Sequence, residues 1–593
     1  MVALCIVLTQ CGKKDTRPYG LPVVPQQDLT PPETALFKKL DPARTGVQFR
    51  NVLNEDWNMN YLLYPYLYNS AGVGILDVNK DGLQDIFFAS TLASCHLYLN
   101  KGGLQFQEIA ASAGVEARGG IKTAVAIADI NADGWEDIYV CRTGIASDNT
   151  SRNLLYINNR DNTFSERAAA YHLDDPGAST AAVFFDYDLD GDLDAYIANH
   201  PADMAKANSA ELVQNPDGST TRQTKPKTLA ESDHLLRNDG HTFTDVTTQS
   251  GIAGRGFTLS VTATDVNEDG YPDLFLANDY VEPDLLYINN RNGTFTDQRE
   301  KSLRHITNNS MGCDVGDINN DGLSDFVVLD MLAENYQLQK ARISNARPER
   351  YFTLMKYGYG RQESRNVLQM NNGNGTYSDI GCLAGIFQTD WSWGCLLEDF
   401  DLDGWQDLYV TNGFYRDVNN GDYIHFTSDS VNRVHKGMIN EVTIPDIRTY
   451  LALIPQFRLL NYAYRNKGDL TFENVSVAWG LEQESYSNGL ATADLDNDGD
   501  TDLVVNNIED AAFVYQNTAA DRSIGHWLQV QLQGAAGNLH ANGVKIRLFC
   551  GGQVMTREVQ PVRGFMSSVS SVIHQKQLLV GTNNAPVQCF VLQ

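Results

Sequence analysis

No run of about 18 or more apolar residues occurs in this 593-residue chain, so no segment of it would cross a bilayer as a helix. Basic residues are scarce: 45 Lys and Arg stand against 74 Asp and Glu, a formal charge of −29. Phosphate backbones need a basic surface, so no nucleic acid is expected as a partner. Cysteine is sparse and irregularly placed. The nine include no C-x-x-C pair, and the seven beyond Cys5 and Cys11 are an odd number without a disulfide framework. Cys313 and Cys395 each fall four residues before an acidic repeat and are expected as small buried hydrophobes. Neither H-E-x-x-H nor G-x-S-x-G is present, and His96, His200, His234, His305 and His574 are scattered without metal-ligand spacing. The chain is expected not to be an enzyme.

What is present is a repeat. The pattern D-x-[DN]-x-D-G-x-x-D occurs seven times, with successive copies 52 to 95 residues apart. Calcium takes about six to eight oxygens in a flexible cage, and this spacing supplies them. Positions 1, 3 and 5 offer side-chain oxygens, Gly at 6 permits a sharp turn, 7 offers a carbonyl, and the Asp at 9 has two oxygens. The side-chain ligands are Asp77, Asn79, Asp81 and Asp85, then Asp129, Asn131, Asp133 and Asp137, then Asp186, Asp188, Asp190 and Asp194. They continue with Asp265, Asn267, Asp269 and Asp273, then Asp317, Asn319, Asp321 and Asp325, then Asp399, Asp401, Asp403 and Asp407, and finally Asp494, Asp496, Asp498 and Asp502. Carboxylates packed this closely repel one another unless a cation intervenes. Up to seven Ca²⁺ are expected, and seven would bring the net charge from −29 to −15.

The flanks of each loop are short β-rich runs such as GVGIL before and IFFAS after, which excludes the helices of an EF-hand. A strand–turn–strand element follows, as in LLYINNRDNTFSER, with an Asn at 100, 158, 238, 289, 371 and 466. Two strands around the loop and two in the hairpin make a four-stranded blade. The seventh hairpin stops at Asn517, and Val47 to Val52 (VQFRNV) at the other end of the chain is expected to supply its missing strand and close the ring. The fold class is all-β: a seven-bladed β-propeller with a small C-terminal β domain.

These residues resemble the FG-GAP/VCBS repeat family, whose relatives include the integrin α-subunit propellers. The resemblance is to the cartilage acidic protein-like group that carries a C-terminal ASPIC/UnbV domain. TDWSWGCLLEDFDLDGWQDLYVTNGFYRD (389–417) and the V-x-x-V-R-G-F-x-S-S pattern before His574 are its most specific parts. Where the family usually has a Gly-Leu-Gly turn this chain reads Val580-Gly581-Thr582-Asn583, so an incomplete small domain is expected. Near the start, Leu8-Thr9-Gln10-Cys11 resembles a bacterial lipobox, with Gln10 where Gly, Ala or Ser is usual; lipidation is expected at Cys11. The expected plan is a signal and lipobox segment over 1–11, a linker over 12–41, the propeller over 42–518 and an ASPIC/UnbV-like domain over 525–593.

Strand parity separates two faces. Calcium loops join strands 1 and 2, whereas the long insertions, 199–233, 330–366 and 412–461, join strands 2 and 3 and fall on the opposite rim. In the second insertion Arg342, Arg347, Arg350 and Arg361 are interleaved with Tyr336, Tyr351, Phe352, Tyr357 and Tyr359. Two readings stay open: a site for an acidic glycan or protein surface, or arginines paired with nearby carboxylates and aromatics covering the central opening. The expected function is a calcium-stabilised extracytoplasmic binding or adhesion module, an outer-membrane lipoprotein held by its lipid anchor and presenting a protein- or glycan-binding insertion face. The alternative is a polysaccharide-processing enzyme or accessory with its site in the insertions.

Overall fold

A computed structural model describes residues 31–593 except 144–150, 202–203, 205–208, 224–231, 241, 253, 343–347, 436–447, 449–450, 526, 551–552, 577–587 and 593. Seven blades of four antiparallel strands succeed one another along the chain, and in blade 1 two further strands extend the sheet to six. Blade 1 comprises Val73–Leu76, Asp85–Phe88, His96–Asn100 and Phe106–Glu108, and the next five blades repeat that order. First strands are buried on both faces, as in Ile121–Ala128 and Phe257–Thr264, because each is packed between neighbouring blades around the axis. Each acidic loop joins strands 1 and 2, and the three insertions join strands 2 and 3 of blades 3, 5 and 6.

The ring closes through the N-terminal part of the chain, but not through the expected segment. Phe37–Lys39 pairs with Phe513–Asn517, with Phe37 opposite Asn517 as Phe106 is opposite Asn100. The closing strand thus lies within the stretch expected as a linker. Val47 to Val52 instead runs between blades 7 and 1, where Phe49 stacks on Phe88 and its carbonyl accepts from Ala512 N–H at 2.9 Å. Both segments carry an aromatic with an aliphatic three residues on. What distinguishes the true strand is its sequel: a one-turn helix, Pro42–Thr45, ended by Gly46 at φ 83°. The same device follows the last strand of blade 1, where Ala110–Ala113 ends at Gly114 with φ 78°.

Residues beyond the ring form β pairings of their own: Trp527–Val530 with Ile573–Lys576, and Lys545–Cys550 with Gln553–Glu558 and Gln588–Leu592. A short hairpin from this domain, Val562–Arg563 and Ser567–Ser568, leaves it and joins the inner strand of blade 1. Cys313 and Cys395 are fully buried, as small hydrophobes would be. No helix among the described residues is long and apolar enough to cross a membrane.

Candidate metal centres

All seven acidic loops share one local geometry. The position-1 carboxylate accepts two backbone N–H groups, as Asp77 does from Asp81 at 3.1 Å and from Gly82 at 2.9 Å. Position 4 and the Gly at position 6 are both left-handed: Lys80 at φ 56° and Gly82 at φ 82° in the first loop, and likewise in the other six. A β-branched side chain would be strained at either position, which explains the fixed glycine. The position-9 carboxylate is buried, one oxygen accepting from position 2 and the other from the Asn that ends strand 3. For Asp85 these donors are Val78 N–H at 2.8 Å and Asn100 N–H at 2.6 Å.

The recurrent Asn has a role that its place in a hairpin does not reveal. Its side-chain amide reaches the preceding blade's acidic loop: Asn158 Nδ2 donates to the Val78 carbonyl at 3.0 Å and Asn466 Nδ2 to the Ile318 carbonyl at 2.8 Å. Asn100, Asn289, Asn371 and Asn517 do the same across their own junctions. Six hydrogen bonds thus couple neighbouring loops around the ring. The signal in the sequence was the recurrence of this Asn at the end of the hairpin's first strand, including Asn517 in the split hairpin; its separation from the last Asp of its own loop varies from 15 to 59 residues.

Three loops bring carboxylates from positions 1, 3 and 9 within 4.8 Å of one another: Asp186, Asp188 and Asp194; Asp399, Asp401 and Asp407; and Asp494, Asp496 and Asp502. Position 5 is not in these sets. Its Oδ1 accepts the position-7 N–H, at 3.2 Å for Asp190 and 3.0 Å for Asp403, while Asp133, Asp269 and Asp403 also hold an arginine of the following hairpin. In the four loops with Asn at position 3, such as Asn79 beside Asp81, the amide oxygen accepts the position-5 N–H.

The donors fit a hard divalent cation. Burial pushes Asp85 and Asp325 up to about 8, Asp194 to about 9 and Asp273 to about 7, and it carries Asp137, Asp407 and Asp502 well above the usual carboxylate range. Asp188 Oδ1, Asp496 Oδ1 and Asp498 Oδ2 are buried without a hydrogen-bond partner. Uncompensated, such groups cost several kcal/mol or take up protons, whereas a bound cation removes both penalties. Oxygen-only ligand sets of this flexibility suit Ca²⁺ better than Mg²⁺.

The side of the ring that bears these loops is covered by the chain itself. Lys545 Nζ donates to the Asp265 carbonyl and to Glu268 Oε1, both at 2.6 Å, and Arg547 pairs with the same glutamate. From this side the hairpin at 562–568 enters the axis. Arg563 donates through Nε and Nη2 to Asp314 Oδ1 and Oδ2 at 2.9 and 2.7 Å. Ser567 Oγ accepts Val73 N–H and Ser568 Oγ accepts Ile127 N–H, while Phe565, fully buried, lies 5.3 Å from Trp393. From the other side the 53–70 segment fills the opposite mouth: Tyr64 OH meets His200 Nε2 and Thr143 Oγ1 at 2.8 Å, and Tyr66 OH donates to Asp279 at 3.0 Å. The central opening is thus covered by Tyr64, Tyr66 and Tyr68, not by the aromatics of the second insertion.

Of the four candidate arginines, Arg342 takes the paired arrangement: its side chain, 12% exposed, lies between Asp390 and Asp417 and ties the second insertion to the third. Arg350 lines a cleft of about 310 Å³ with Tyr351 and Phe352 on the insertion face, and Arg361 is exposed nearby. Arg347 and Cys11 lie outside the described residues, as do Val580 to Asn583.

Comparison with known proteins matches FG-GAP-like repeats at residues 77–140, 265–328 and 456–505, and ASPIC and UnbV at 534–575. Cartilage acidic protein 1 of Mus musculus is 25% identical over 577 residues, covering 90% of this chain and 73% of that protein. Among solved structures, the V. cholerae biofilm matrix protein Bap1 aligns at 11% identity and a TM-score of 0.37, over 88% of this chain and 99% of that one. An Agrocybe aegerita lectin specific for non-reducing terminal N-acetylglucosamine aligns at 14% identity and a TM-score of 0.34, over 74% and 85%. Both structural alignments are loose.

Proposed function

We propose that this chain, with its matches to FG-GAP-like repeats and to ASPIC and UnbV, is a calcium-stabilised, non-enzymatic extracellular binding or adhesion module that presents its insertion face to a protein or glycan. The observation that carries this reading is an asymmetry of the two faces. The loop face is spanned by the small domain, whereas exposed apolar side chains gather on the other. Tyr336, Phe352 and Met355 in the second insertion, Phe426 and Leu453 in the third, Leu212 and Val213 in the first and Trp57, Leu62 and Leu63 in the 53–70 segment account for ten of fifteen large hydrophobics exposed among the described residues. Clustered exposed apolar residues on a rigid scaffold mark interaction surfaces. Calcium acts indirectly, by holding the blades so that the insertions are presented in one arrangement. Lipidation at Cys11 would place the module on the envelope of a bacterial cell.

The test is a capture screen against glycan and envelope-protein arrays, with calcium and with chelator. Changing Tyr336, Phe352 and Phe426 to Ser should abolish capture while leaving the melting temperature unchanged. Capture that survives this triple change would refute the assignment of the face. Labelled-lipid incorporation that persists in Cys11→Ala would refute the anchor.

A further inference from the structure

A second site is built on the opposite face. A polar cleft of about 970 Å³ opens between the small domain and the acidic loops of blades 7, 1 and 2. That is the upper end of the ~300–1,000 Å³ usual for ligand sites. One side of it is the extended segment from Trp527 to Gln533. Leu528, Val530 and Leu532 pack into the small domain, so the two-residue period turns Gln529, Gln531 and Gln533 toward the cleft. The propeller contributes Gln84 and Asn497, and the segment after the hairpin contributes Ser570, Ser571 and His574.

The charged groups at this cleft are already engaged. Asp77 and Asp494 accept the N–H groups of their own loops, Asp133 holds Arg160, Glu136 accepts Asp77 N–H at 2.9 Å with His540 4.0 Å away, and Lys80 lies over the Trp135 ring. His574 is different. It is 8% exposed and lies against the Gly499 backbone, with Nδ1 sealed from solvent. Gln529 Nε2 stands 3.4 Å from the other ring nitrogen. Burial lowers the pKa of His574, so the ring is neutral and offers one donor and one acceptor. Amides, hydroxyls and a neutral imidazole each donate and accept. A ligand hydroxyl does both as well, whereas an anion only accepts and an ammonium only donates.

We propose that this cleft binds an uncharged saccharide, with the exposed amides of Gln531 and Gln533 engaging its hydroxyls. The site is independent of the insertion face and stands or falls separately from it. The experiment titrates the calcium-loaded full chain calorimetrically with cellotetraose, chitotetraose and maltotetraose, and with tetragalacturonate as an anionic counterpart. At least one neutral tetrasaccharide should bind saturably, and tetragalacturonate should bind at least about tenfold more weakly. The exposed pair Gln531→Ala/Gln533→Ala should lose about tenfold in affinity or more, with an unchanged melting temperature, while Arg350→Ser should bind as the parent does. The proposal is overturned by no binding of any neutral probe up to about 10 mM. It is equally overturned by a glutamine variant that binds like the parent, or by loss of binding in Arg350→Ser, which would move the saccharide to the insertion face.

Discussion

Replacing Arg563 with Met should undock the small domain from the ring. The guanidinium makes two hydrogen bonds to Asp314, at 2.9 and 2.7 Å, and a third from Nη2 to the Leu397 carbonyl at 2.7 Å. Its side chain is 12% exposed and that of Asp314 only 1%. Burial alone would lower the arginine's pKa, but the Asp314 pair outweighs it and holds the group above its ordinary range. Met fills similar space and leaves the Asp314 carboxylate buried with the Leu397 N–H, at 2.7 Å, as its remaining donor. Breaking a buried pair from one side costs about 3–5 kcal/mol. If that cost falls on docking, the undocked fraction rises roughly a hundred- to several-thousand-fold. Limited proteolysis between the last blade and the small domain reads this fraction when opening is fast relative to cleavage. Arg563→Met should be cut faster by at least two orders of magnitude, and adding Asp314→Leu should recover much of the loss, because the orphaned charge is gone. A cleavage rate like the parent's, or a double variant whose cost equals the sum of the singles, would refute the account.

Chelation should lower the melting temperature, with recovery on adding Ca²⁺ in the ~10⁻⁴–10⁻³ M range and poor recovery with Mg²⁺; an unchanged melt after exhaustive chelation contradicts the metal assignment. Removing residues through Lys39 strips the closing strand, including buried Phe37 against Phe400 and Trp479, and should cause aggregation, whereas removal through Pro32 should not; equal behaviour of the two rules out this closure. His200 is held down to about 4 by burial, from an ordinary 6.5, so the unfolded chain binds a proton that the fold excludes between those values. Stability should therefore fall by about 3 kcal/mol as pH drops from 6.5 to 4, and His200→Gln should flatten that part of the profile measured by denaturant titration; superimposable profiles would contradict it.

The acidic loops were legible because everything that defines them lies within nine consecutive residues, and the blades followed from strands flanking those loops. Contacts between distant residues were not. Whether Arg342 was paired stayed open in the sequence, because its partners Asp390 and Asp417 lie 48 and 75 positions away. The R-G-F-x-S-S pattern marked the small domain, but its insertion into the axis depends on Asp314, 249 positions earlier. The closing strand was misplaced for a local reason: an aromatic with an aliphatic three residues later occurs at both Phe37 and Phe49, and only the helix and glycine after Phe37 tell them apart.

The two stoppers at the axis also set an order of assembly. Tyr64, Tyr66 and Tyr68 precede every complete blade in the chain, and Phe565 to Ser568 follow the last of them. During synthesis the upper stopper is therefore available before there is a ring to seat it. The lower one emerges only after all seven blades have been made. The nascent ring is hollow from below until that moment, with the flanks of Trp393 and of the Asp314 carboxylate bare toward the lumen. What finally fills it is covalently tethered and at high local concentration, so among the described residues both mouths of the ring are stoppered by segments of the chain itself.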